Sequence, residues 1–143
     1  MKKIYIAAVT FFASAIMIQQ SFSDQTPSVV VDPASVRTQF RALDSNVYMM
    51  SIKHTSDHSQ IEKCGKPSVN ADNRPVAFDS SYTQGFESGS VIESYDLTLS
   101  EKQAVRLAQA LRVDYELCGQ TMQVAYDDIA KLKKAIISVG GRY

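Results

Sequence analysis

The residues able to do chemistry in this chain are few and widely spaced. His54 and His58 are its only histidines, four positions apart with Asp57 between them. On a continuing helix both rings would project from one side, a workable two-ligand geometry for a metal. No third ligand stands nearby, and the polar run from His54 to His58 reads instead as the solvated end of a helix, so no metal site is expected. Gly85-Phe86-Glu87-Ser88-Gly89 places its serine one position late for the G-x-S-x-G nucleophile turn. It also lacks the strand before and helix after that such a turn requires. Glu101, Asp127 and Asp128 fall on solvated helix surfaces, with Asp127 in i,i+4 reach of Lys131. No carboxylate pair is set for acid–base work, and there is no glycine-rich phosphate loop. The expectation is a protein that is not an enzyme and needs no cofactor. Tyr82, Phe86 and Tyr95 lie in the middle of the chain, as binding anchors if exposed and as cover for the core if buried. No binding residue is assigned from the sequence.

Cys64 and Cys118 are the only cysteines. Their spacing is far from the C-x-x-C of redox or metal-binding thiols, and one intramolecular pairing is possible. A structural disulfide between them is expected. Closing a loop of that length restricts the unfolded chain by about 4 kcal/mol in the entropic account.

Such a bond needs an oxidising compartment, and the N-terminus points to one. Lys2 and Lys3 precede an uncharged apolar run from Ile4 to Ile18, and Ser21-Phe22-Ser23 has the small-x-small pattern of a cleavage site. The run is about 15 residues, short for a permanent span of a roughly 30 Å hydrocarbon core. Residues 1–23 are therefore expected to be a signal peptide and residues 24–143 a single small exported domain, periplasmic or secreted, with no stable membrane anchor after cleavage. Of the 15 basic residues the leader takes two, and of the 15 acidic ones none, so the remainder carries 13 against 15, a net −2. Near neutrality argues against nucleic acid as a partner.

The elements that must position these residues read as mainly α. Asp32-Pro33 has the N-cap and first-turn proline of a helix start. Val36, Phe40, Leu43, Val47 and Met50 then recur at helical spacing, which predicts a helix over about 33–53. Ser100 and Gln103 have capping-box spacing, and Ala104, Leu107, Ala108, Leu111, Tyr115 and Cys118 share a face, predicting a second helix over 100–118 that stops at Gly119. Met122, Ala125, Ile129, Leu132, Ile136 and Val139 predict a third over 121–139. One long helix through Gly119 is the alternative for the last two. Between Thr55 and Thr98 the pattern is irregular. Pro75 to Phe78 and Ser90 to Leu97 could form a small β-hairpin, although Glu93 interrupts the apolar side of the second strand. Turns are expected at 70–73 and 85–89.

Two short stretches resemble known families. Tyr95 to Ala104 resembles the approach to a helix in the peptidoglycan-binding domain of the outer-membrane protein A family, Tyr-Asn-x-x-Leu-Ser-x-x-Arg-Ala. The family's ligand-gripping arginine falls on Gln103 here, and its upstream Thr-Asp-x-x-Gly segment is absent. Leu99 to Gln103 is also similar to the Leu-Thr-x-x-Gln motif of the Spy family of helical periplasmic chaperones, in one copy with serine for threonine. The chain is assigned to neither. The functional expectation is an exported protein-binding module such as an inhibitor, immunity or envelope accessory protein. A helical periplasmic chaperone is the first alternative and a cell-wall-binding module the second.

Overall fold

Strands, not long helices, build this protein. The computed structural model describes residues 29–140; the expected signal peptide lies outside the described residues. Two four-stranded antiparallel sheets and two helices replace the three-helix arrangement expected over 33–53, 100–118 and 121–139. The first sheet comprises β1 (Val36–Asp44), β2 (Val47–Ser56), β5 (Asp79–Glu87) and β6 (Ser90–Ser100), in the order β1-β2-β6-β5. The second comprises β3 (Ser68–Ala71), β4 (Arg74–Pro75), β7 (Val113–Leu117) and β8 (Gln120–Gln123), in the order β4-β3-β7-β8. Helix α1 spans Glu101–Gln109 and α2 spans Tyr126–Ser138.

The error over 33–53 has a specific cause. Asp32 does cap a helical start, with its Oδ1 accepting from the Ala34 amide at 2.9 Å, but the turn is a 3-10 one that ends at Ser35. From Val36 the chain instead forms a hairpin through Ser45-Asn46, and even-numbered residues face inward on both of its strands. Val36, Thr38, Phe40 and Ala42 alternate inward on β1, while Tyr48, Met50, Ile52 and His54 do so on β2. The helical stripe mixes the two faces: Val36, Phe40 and Met50 share the inward parity, whereas Leu43 and Val47 do not. Leu43, which the helical reading placed on the buried stripe, is 49% exposed. The period is 2 on either side of the turn, and β-branched and aromatic residues suit it.

The second error is similar. Ser100 and Gln103 form the expected capping box, the Ser100 amide donating to Gln103 Oε1 at 2.7 Å and the Gln103 amide to Ser100 Oγ at 3.4 Å. Yet α1 stops at Gln109, and Val113, Tyr115 and Leu117 turn inward on a strand. Gly119 ends no helix. With Cys118 it makes a two-residue hairpin turn, both residues at positive φ (54° and 74°), the geometry that matches strand twist. The third helix exists but begins at Tyr126, since residues 120–123 belong to β8. The expected second strand of the middle segment is present and longer, as β6. Of the stretch 75–78, Pro75 ends β4 and the Val76 amide donates to the Val69 carbonyl at 2.9 Å, both against β3 rather than β6.

The core lies on one face of the first sheet. There Tyr48, Met50, Ile52, Leu97 and Leu99 meet Leu107 of α1, Leu132 and Ile136 of α2, and Val69, Tyr115 and Leu117 of the second sheet. Full burial of such side chains contributes roughly 1.5–3 kcal/mol each. α2 packs on β1 and α1. The Cys64–Cys118 disulfide is present, with Cα atoms 4.8 Å apart, joining the short 3-10 turn Ile61–Cys64 to the β7–β8 hairpin. No helix among the described residues is long and apolar enough to cross a membrane.

Candidate functional site

Strand β6 carries carboxylates on both of its faces, and the two are used in opposite ways. Residues 93 and 96 differ in parity, so Glu93 points to the core face and Asp96 to the open face. Glu93 is fully buried. Its Oε1 accepts from Tyr82 Oη at 2.7 Å, Ser59 Oγ at 2.8 Å and the Glu62 amide at 3.3 Å. Its Oε2 accepts from the amides of Gln60 at 2.9 Å and Ile61 at 3.2 Å, with His54 Nδ1 at 3.3 Å. Burial alone would raise its pKa. The hydrogen bonds from Gln60, Tyr82, Ser59 and Ile61 overcome that and hold it at about 2. Tyr82 is pushed the other way, to about 12, by burial first and then by the bond and charge of Glu93, with Ser59 opposing. Its ring packs against Tyr95 at 5.3 Å between centroids.

This cluster is an internal clamp. Glu93 gathers the amides that open the 3-10 turn Ile61–Cys64, and that turn presents Cys64 to Cys118. With six contacts on two oxygens, the carboxylate has no capacity left for a ligand.

The open face forms a groove of about 700 Å³ across all four strands. Its floor holds Ser51, Ser94 and Asp96, with Lys53 and Ile92 beside them. Asp96 Oδ1 accepts from Ser51 Oγ at 2.5 Å and Ser94 Oγ at 3.1 Å. Its Oδ2 accepts from no group among the described residues and is not buried. One rim carries Arg41, whose guanidinium lies over Met49 with Nη2 3.6 Å from Sδ, and Lys131 of α2. The other is β5, whose Thr83, Gly85 and Glu87 share the open face, while Phe86 projects from the opposite one. Hydroxyls, a half-used carboxylate and cations can orient a polar ligand.

The sequence-derived candidates scatter. His54 is not at a solvated helix end but 1% exposed on β2 beside Glu93, whereas His58 is exposed and 3.2 Å from Gln60 Nε2. The two do not share a site. Ser88 sits in the β5–β6 turn at φ 51°. Asp128, rather than Asp127, pairs with Lys131 at 2.9 Å, and it also accepts from Thr38 Oγ1 at 2.7 Å. Of the three aromatics, Tyr95 is buried, Tyr82 half-buried and Phe86 79% exposed. Sequence reasoning missed Glu93 and Asp96. The interruption of an apolar strand face by Glu93 was the available signal, since an acid at a buried position must find partners. Both family resemblances fall on the β6–α1 junction, where Ser100 and Gln103 make the capping box. No protein-family model matches this chain, and no curated protein matches it either.

Proposed function

We propose that this chain is an exported, non-catalytic protein-binding module, of the inhibitor, immunity-factor or envelope-accessory kind, working in the periplasm or outside the cell. The observation that carries the reading is the edge strand β5. It runs for nine residues and, among the described residues, is hydrogen-bonded to β6 on one side only, and Phe86 near its end is 79% exposed. The opposite edge, β1, is packed against by α2. Exposed edges of this length invite pairing with another chain, and natural proteins commonly blunt them with lysine, proline or a covering element. β5 carries neither lysine nor proline, and among the described residues no other element packs extensively on it. An exposed aromatic beside an extendable edge suits strand addition with a side-chain anchor.

The disulfide is compatible with an oxidising, exported compartment, and the leader-like sequence of residues 1–23 supports export. The non-catalytic reading is supported by the saturation of Glu93 and the separation of His54 from His58. The helical-chaperone alternative drew on three amphipathic helices and loses that support in this β-rich fold.

The test is affinity capture from an envelope extract with immobilised residues 24–143, comparing the wild type with Phe86→Ser. A protein retained by the wild type and lost with the variant supports the reading. Retention of nothing, or of the same proteins by both, overturns it.

A further inference from the structure

Three cations crowd one side of the open face. Arg37 and Lys53 are directly opposed across β1 and β2, and Arg41 projects from the same face of β1. Like charges placed opposite each other on one sheet face repel. Among the described residues none of the three makes an ion pair, in contrast to Arg112 with Asp114 and Lys131 with Asp128. Across the groove, Asp96 keeps one oxygen open and Glu87 stands on the rim, beside the free edge of β5.

We infer that the groove takes an extended, carboxylate-bearing segment of a partner protein, its acidic side chain between Arg41 and Lys53 and its backbone reaching Asp96 and the β5 edge. The inference rests on the protein-binding reading and names the chemistry of the partner. A polyanion fits less well, because Asp96 and Glu87 would repel it along most of its length. A peptide supplies both signs of complement: carboxylates for the cations, and N–H donors for the open Asp96 oxygen and the strand edge. A second copy of this chain docked through its own β5 is disfavoured, because antiparallel pairing centred on Thr83 sets Asp79 against Glu87.

The experiment uses isotope-labelled residues 24–143, with the disulfide formed, titrated with a capped peptide of alternating glutamate and valine; the lysine-for-glutamate peptide is the control. Saturable amide shifts at Lys53, Ser94 and Asp96 and along β5 are expected for the glutamate peptide alone. The double charge reversal Arg41→Glu, Lys53→Glu should weaken it by roughly tenfold or more. Equal binding of the lysine peptide, shifts elsewhere or none, or unchanged affinity after charge reversal would each overturn the inference. A partner captured through Phe86 but indifferent to the charge reversal would leave the protein-binding reading standing without it. Seating of the glutamate peptide with no partner captured would do the reverse.

Discussion

Glu93 and Asp96 lie three residues apart on one strand, and the comparison between them separates architecture from opportunity. Glu93 faces the core and is held by five hydrogen-bond donors plus His54. Asp96 faces the groove and is held by two serines through one oxygen. A buried carboxylate survives only if its lone pairs are filled, so the strand's inner acid had to become a structural clamp. The outer acid is near enough to water to leave an oxygen open. The same residue chemistry thus serves folding on one face and is available for recognition on the other.

The sharpest way to break this comparison is to delete the inner carboxylate. Glu93→Ala should cost about 3–5 kcal/mol, because the amides of Gln60, Ile61 and Glu62 and the Tyr82 hydroxyl would all lose a buried partner. Urea unfolding measures it, and a loss no larger than for Asp96→Ala would end the distinction. Next in size is the disulfide that the clamp positions. Cys64→Ser and Cys118→Ser should each cost about 2–5 kcal/mol, and the double variant no more than either single, since one bond is lost in all three.

Acid provides a third test without mutation. Glu93 is lowered from 4.5 to about 2 in the native state. Its contribution is therefore complete above the unfolded value and is lost as pH falls through the folded one, a total of about 3 kcal/mol between pH 4.5 and 2. Stability measured across that window should fall in the wild type, and Glu93→Gln should lack this component. A wild-type profile no steeper than that of Glu93→Gln would show that the clamp is weaker than its geometry implies.

Smaller effects refine the picture. His54→Ala should cost about 1–3 kcal/mol, because a buried side chain and its contact with Glu93 are removed. His58→Ala should stay within about 0.5 kcal/mol, as should Phe86→Ala, since both side chains are solvated. Equal effects for the two histidines in thermal melts would contradict the burial of one and the exposure of the other. On the groove side, Asp96→Asn should cost no more than about 1.5 kcal/mol, the scale of the two seryl hydrogen bonds it weakens.

The features legible in the sequence were the ones that few neighbours settle. Asp32 and Ser100 cap their turns as their side chains dictate, and Gln103 completes a box only three residues away. Asp72-Asn73 and Ser88-Gly89 fall within the expected turn regions, where Asp, Asn and Gly tolerate the positive φ they adopt. The faces of α1 and α2 were also right at Ala104, Leu107, Ala108, Ile129, Leu132 and Ile136. How far each helix runs was not legible. Val113 to Leu117 can satisfy its backbone in a helix or in a ladder, and the choice lay with Ser68 to Ala71, which pairs with it from 40 and more positions upstream.

By itself the sequence determined what short-range chemistry controls: two capped starts, tight turns, and one possible cysteine pairing. The tertiary structure alone decided that 36–56 is a hairpin, which face of β6 is buried, and hence which carboxylate is a clamp and which is open. Those outcomes rest on hydrogen bonds between residues such as Ser51 and Asp96, 45 positions apart. A face becomes inside or outside only once a distant segment covers it, and side-chain periodicity within one segment carries no record of that cover.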